Sequence, residues 1–227
     1  MLNNILPLKL NYCKSFIIFF LCLVSFSQAE ARPEQDKTEF EEFWQEFYVY
    51  HNISKKFSAE VLFNNLYGSE QGFYDWFVEG KLRYRLNSWV NFEAMYRHEN
   101  YKLGDRRVVE YRPMFRTSLK KSVGKWSFRN RHKVEYRLFE VGESHVRYRT
   151  DLKIKPQLNW TSLKLNPYVT EEIFVAHQQY TRNRVYAGIE GKKGKIEPGA
   201  YLLLQSNNNT DLWAHRLIVG LVLGLEL

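Results

Sequence analysis

The chain has 227 residues, 44% of them hydrophobic and 26% charged, with a net charge of +8. A mean hydropathy of −0.47 excludes a bundle of membrane-spanning helices, but not a membrane barrel, in which only alternate residues meet lipid. Its two cysteines, Cys13 and Cys22, both fall within the first thirty residues, so the rest of the chain has no disulfide framework, thiolate nucleophile or cysteine metal site.

Residues 1–29 combine a polar start bearing Lys9 and Lys14, an apolar run from Phe16 to Phe26, and the small residues Ser27 and Ala29. This pattern predicts a secretory signal peptide cleaved before Glu30, with Ala31 as the alternative. The run falls short of the ~20 residues that a spanning helix needs. Bulky Phe20 and Leu21 before Cys22 argue against a lipid-anchored cysteine. Removing the signal leaves 31 Lys+Arg against 25 Asp+Glu. For an exported chain this basic balance suits acidic lipid headgroups, and nucleic acid is not an expected partner. Residues 30–42 (EARPEQDKTEFEE) are acidic and polar and read as a lead-in with room for a short first strand.

From Phe43 onward the chain alternates with period two in segments separated by turn-forming residues, the mark of β-strands. In 73–86, Tyr74, Trp76, Val78, Leu82, Tyr84 and Leu86 oppose Asp75, Glu79, Lys81, Arg83 and Arg85. Across Asn87-Ser88, a two-residue hairpin connection, Val90, Phe92, Ala94 and Tyr96 oppose Asn91, Glu93 and Arg97. The rule continues with Glu110, Arg112 and Arg116, then Arg129, Arg131, Lys133, Glu135 and Arg137, then Arg147, Arg149, Asp151 and Lys153, each set facing away from an apolar one. It weakens over 163–176 and 182–190 and returns at 202–205.

Eleven segments result: 43–52, 56–67, 73–86, 89–100, 107–121, 124–139, 145–158, 163–176, 180–191, 195–205 and 212–227. Tight turns at 87–88, 121–124 and 191–194 alternate with longer polar loops at 68–72, 100–106, 141–144 and 206–211. Outer-membrane barrels show such an asymmetry and use even strand numbers. The expected fold is therefore all-β, a single antiparallel up-and-down barrel over 43–227. About twelve strands are expected, the extra one drawn from 34–42, with ten as the fallback.

Alternation fits either a membrane barrel, apolar outside, or a soluble one with the reverse arrangement. Arginines interspersed with carboxylates on the polar faces, and Tyr and Trp near segment ends, favour the membrane. Asn130 and His132, on the apolar face, count against it. Leu223, Leu225 and Leu227 alternate toward the C-terminus like a barrel-assembly signal without its usual terminal aromatic.

The segments RHKVEYRLFE (131–140), VRYRTDLKIK (146–155) and TRNRVYAGIE (181–190), in that order, give the chain its likeness to a known family. Over 43–227 it resembles a family of bacterial outer-membrane-type barrels catalogued as a domain of unknown function, number 2490. The resemblance implies a fold and a compartment and no catalytic residue.

The polar faces supply the candidate lumen residues: Arg83, Arg85, Arg112, Arg116, Arg129, Arg131, Arg137, Arg147, Arg149, Arg182 and Arg184, with Glu79, Glu93, Glu110, Glu135 and Asp151 as acidic partners. They fit an electropositive pore or binding site, since rings of Arg favour anions. They equally fit a structural ion-pair network filling a narrow barrel. No G-x-S-x-G elbow occurs, and Ser144-His145 would face opposite sides of a strand. The histidines lack H-x-x-x-H or H-E-x-x-H spacing, so no metal, cofactor or catalytic residue is assigned. The expected function is a non-enzymatic outer-membrane barrel, structural or a narrow pore, with outer-membrane lipid and the barrel-assembly machinery as partners. The alternatives are an outer-membrane lipid-modifying enzyme and a soluble periplasmic barrel holding an apolar ligand.

Overall fold

A computed structural model describes residues 40–70, 72–158, 161–209 and 212–227. The expected signal peptide and most of the polar lead-in lie outside the described residues. Eleven strands follow in chain order: β1 Phe40–Asn52, β2 Phe57–Gly68, β3 Gly72–Arg85, β4 Val90–Leu103, β5 Arg106–Val123, β6 Trp126–Phe139, β7 His145–Pro156, β8 Asn166–Ala176, β9 Gln179–Glu190, β10 Ile196–Asn209 and β11 Leu212–Glu226. Each pairs antiparallel with the next, and β1 closes on β11.

The expected all-β barrel is therefore the fold observed. The described residues form eleven strands rather than twelve, and the seam between β1 and β11 is parallel, from Phe40↔Leu217 to Tyr50↔Glu226. An odd number of up-and-down strands forces this, because the first and last then run the same way. Of the extra strand expected over 34–42, residues 34–39 lie outside the described residues and 40–42 belong to β1.

Two rims bound the barrel. The first is where β1 ends and β2 begins, and likewise β3 and β4, β5 and β6, β7 and β8, and β9 and β10; the second is where β2 ends and β3 begins, and likewise β4 and β5, β6 and β7, β8 and β9, and β10 and β11. The expected split into tight turns on one rim and long polar loops on the other does not hold. The polar stretches 100–103 and 206–209 continue the ladders, pairing Tyr101 with Val108 and Asn207 with Ala214, because polar side chains do not stop a backbone from pairing. The longest connection, 157–165, sits on the rim of expected tight turns. At 86–89 the Asn87 side-chain oxygen accepts from the amides of Trp89 and Val90 at 2.9 and 2.8 Å, an Asx turn that fixes the hairpin. Gly124 (φ +57°) supplies the left-handed residue of the two-residue connection between β5 and β6.

The apolar faces point outward. Val61, Val78, Leu82, Phe115, Val134, Leu152, Leu202 and Leu221 are exposed at mid-height. Aromatic pairs mark both rims: Phe57–Tyr84 (ring centroids 5.0 Å apart) at the first, Tyr67–Phe73 (5.5 Å) and Tyr180–Trp213 (4.9 Å) at the second. Charge goes inward, where Glu79, Glu93, Glu110, Arg112, Glu135, Arg147 and Asp151 are buried. One inward patch is apolar: Trp44, Leu66, Phe77, Leu203 and Ile218 pack beside Tyr201 between β1–β3 and β10–β11.

Alternation fails in one place that matters. The ladder between β2 and β3 slips between Leu66 and Tyr67, a bulge. Tyr74, expected on the apolar face, instead packs beside the inward patch and donates to Glu42 at 2.6 Å.

Candidate functional site

The lumen is built by strand register. Because inward residues recur every second position, antiparallel pairing sets them side by side in rows across the wall. One row runs Arg83↔Glu93↔Arg116 and another Glu79↔Arg97↔Arg112, while β6 and β7 set Arg131 against Asp151 and Glu135 against Arg147. Glu135, with no exposed surface, accepts from Arg147 and Arg149 at 2.6 and 2.9 Å and from Lys133 at 3.1 Å. Glu110 holds Arg112 and Arg137, each at 2.7 Å. Glu93 joins Arg83 (2.6 Å) to Arg116, Glu79 holds Arg97 (2.7 Å), and Glu172 takes a second edge of Arg149. Every carboxylate in this set meets at least one guanidinium, as buried charge requires.

Phe174 stands among these cations almost without exposure. Arg147, Arg149, Arg182 and Arg184 approach its ring at 5.3, 4.4, 5.5 and 5.0 Å from the centroid, a cation–π arrangement. Arg182 and Arg184 are hydrogen-bonded through Nε to Asn207 and Gln205 at 2.5 and 2.7 Å.

A different wall forms where β8–β11 and β1 meet. Tyr168, Tyr201 and Tyr48 lie directly across the ladders from Gly188, Gly220 and Gly224. A Cβ at any of these glycines would overlap the ring opposite. Glycine thus lets each ring lie flat against the barrel wall, the aromatic covering that pins register beside a residue with no side chain. The hydroxyls are anchored too: Tyr201 to Glu46, Tyr48 to Glu197 (2.7 Å), and Tyr50 to Glu197 and Glu226 (both 2.9 Å). Beyond the strands, Lys192 bonds Glu226, Tyr50 and Glu197, and these contacts raise its ammonium pKa above the ordinary lysine value.

Flattened rings leave space. A cavity of about 660 Å³ lies toward the first rim, where Lys164, Gly191 and Lys192 line it. Seven Lys and Arg side chains and four glutamates face it, with Tyr48, Tyr168, Tyr186 and Tyr201 among them. A second cavity of about 290 Å³ lies toward the other rim beside Trp44, Arg97, Arg112 and Phe174. Glu46, Arg149 and Tyr186 line both and form the partition between them.

The structure brings ten of the eleven candidate arginines into contact with this interior. Arg85, at the end of β3, is exposed at the first rim and makes no ion pair among the described residues. All five candidate carboxylates are buried in the network. Sequence reasoning missed Glu172, Glu190, Arg97, Glu46 and the tyrosine–glycine pairs. Arg97 stood on a recognised polar face, whereas Glu172 is adjacent to Glu171, and only register shows which of the two faces inward.

Outward polar groups find local partners. Asn130 donates to the Asp151 carbonyl at 2.9 Å, and His132 Nδ1 lies 2.6 Å from the Tyr148 hydroxyl. His215 has a serine across the β10–β11 ladder: Ser206 Oγ is 2.8 Å from its Nδ1. Among the described residues no three His, Cys, Asp or Glu side chains converge as metal ligands would, and His145 and His177 meet only as a ring pair 4.7 Å apart.

The family model described as "Protein of unknown function (DUF2490)" matches residues 41–216, from the start of β1 into β11. None of the curated proteins matches the chain.

Proposed function

The chain belongs to the DUF2490 family of proteins of unknown function, and from its inside-out barrel we propose a non-enzymatic outer-membrane protein, a structural barrel with at most a narrow, anion-favouring path. The observation that carries this is the direction of the side chains: apolar residues and two aromatic girdles outside, paired charge inside. Water does not reward an exposed belt of Val, Leu and Phe around a whole barrel, whereas lipid does. A soluble barrel holding an apolar ligand would need the opposite arrangement. In this reading residues 1–29 are the export signal, and the barrel-assembly machinery and outer-membrane lipid are its partners.

The lumen is crossed by ion pairs, and Arg149 stands in the partition between the cavities, bound to Glu135 and Glu172. This plug closes the barrel to free diffusion and leaves an excess of cations on either side, which lowers the barrier to anions. The test is fractionation of expressing cells, with carbonate-washed membranes run on gels with and without boiling. Retention with a boiling-dependent mobility shift is expected; release into the soluble fraction would sink the reading. In planar bilayers, Arg149→Gln should raise conductance and Arg131→Gln should reduce anion preference.

A second reading, an outer-membrane lipid-modifying enzyme, rests on Ser206 and His215 alone. They face outward near the second rim, where His215 is positioned to take the serine proton during attack on a lipid ester. Hydrolysis of phospholipid in mixed micelles, lost in Ser206→Ala, would favour it; no hydrolysis by the wild-type chain would remove it.

A further inference from the structure

The 660 Å³ cavity carries more positive charge than its carboxylates take up. Glu190 engages both Lys153 and Lys155, Glu172 engages Arg149, and Asp151 is held by Arg131 through two bonds of 2.9 and 2.7 Å. Arg129 is left over. Its Nε is shielded from solvent without a hydrogen-bond partner, and its Nη2 stands 3.9 Å from the carboxylate that Arg131 already occupies. Lys164, on the connection 157–165, lines the same cavity and forms no ion pair among the described residues. A shielded donor with nothing to donate to is unusual in a folded protein and calls for an acceptor from elsewhere.

The opposite wall differs in kind. There the Tyr48, Tyr168 and Tyr201 rings lie flat over Gly224, Gly188 and Gly220, with Val222 and Ile189 beside them. The volume is in the range of small-molecule sites, roughly 300–1,000 Å³. We propose that this cavity binds an organic phosphate, its phosphate held by Arg129 and Lys164 and its ring or apolar body laid against the tyrosine wall. Arg129, with only a distant share of one carboxylate, and Lys164, with no ion pair among the described residues, together suit a dianion better than a single carboxylate, and the Arg129 guanidinium offers forked donors that match phosphate geometry. The shared chemistry is a phosphate ester on an apolar body, whether a soluble ester or a lipid headgroup reaching the rim. This deepens the barrel reading above and does not depend on conduction.

The experiment is calorimetric titration of the full chain, folded in detergent micelles, with phenyl phosphate and separately with inorganic phosphate. Phenyl phosphate should bind at least fivefold more tightly than inorganic phosphate. Arg129→Gln should weaken both at least tenfold, and Lys164→Gln, at an exposed position that does not threaten folding, at least threefold. Gly220→Ala, which displaces the Tyr201 ring, should weaken phenyl phosphate and leave inorganic phosphate unchanged. Repeating the titration in nanodiscs of phosphatidylcholine with and without phosphatidic acid separates the sources. Competition by phosphatidic acid identifies a lipid headgroup, and undiminished binding identifies a soluble ester, either one supporting the site. No binding of either probe to the wild-type chain, or affinities unchanged in both cation variants, would overturn it. Because binding is read in micelles, a chain that fails fractionation can still pass this test, and the reverse also holds.

Discussion

The two sides of the barrel wall fill the same lumen by opposite means. From β3 to β7 the interior is closed by charge: long guanidinium side chains reach across the ladders to carboxylates such as Glu110 and Glu135. From β8 through β11 to β1 it is closed by shape, with tyrosine rings pressed onto glycines of the neighbouring strand. The ionic side fills its volume, but a shared carboxylate such as Glu135 is a dependency, because removing it takes one acceptor from three cations. The tyrosine side has no room for a single added methyl group at its glycines. The larger cavity lies where the two sides meet, with cations on one face and rings on the other.

The largest effect should come from breaking the ionic side at its centre. Glu135→Leu leaves Arg147, Arg149 and Lys133 without their shared acceptor and should destabilise the folded barrel by about 3–5 kcal/mol, read by urea unfolding in detergent. A loss below about 1 kcal/mol would mean that the network contributes little to stability. On the outer face, Val134→Arg at mid-strand should cost about 2–4 kcal/mol in lipid and much less in water. Equal costs in both would contradict a lipid-facing belt. On the tyrosine side, Gly220→Ala should cost about 1–3 kcal/mol by overpacking against Tyr201. Tyr201→Leu combined with it should recover part of that loss, and a double-mutant cycle without coupling would refute the ring-on-glycine contact. The smallest effect is expected at the rim, where Arg85→Gln should change stability by less than about 0.5 kcal/mol, since that arginine holds no carboxylate.

Much of the ionic side was legible in the sequence because period two is a property of a single strand. Arg83, Glu93 and Glu135 fall on their face whichever neighbour they meet. What could not be read was who meets whom. The Phe73–Tyr74 bulge turns Tyr74 inward without any mark in the alternation, and the Thr170-Glu171-Glu172 run offers two acids of which one faces the lumen. The tyrosine side was illegible for the same reason, more severely. Tyr48 and Gly224 are separated by nearly the whole chain, and each alone looks like an ordinary strand residue. Their relation exists only through the parallel seam. The expected strand number, about twelve with ten as the fallback, came close to the eleven strands of the described residues; evenness was assumed, whereas an odd count closes equally well when its ends run alike.

That seam also fixes the order of events and the sidedness of the ends. Its two strands are the first and the last of the barrel, so their ladder joins the most distant parts of the fold and carries the highest loop-closure cost of any pairing in it. Ten antiparallel hairpin contacts can zip locally before it, and the Leu227 amide reaches the Tyr50 carbonyl, at 2.9 Å, only once the ring has shut. Parallel closure further places Phe40 at the second rim and Leu227 at the first. Reporter groups attached at these two positions would therefore emerge from opposite mouths, and in the proposed membrane setting differential labelling across a sealed vesicle would read which mouth faces out.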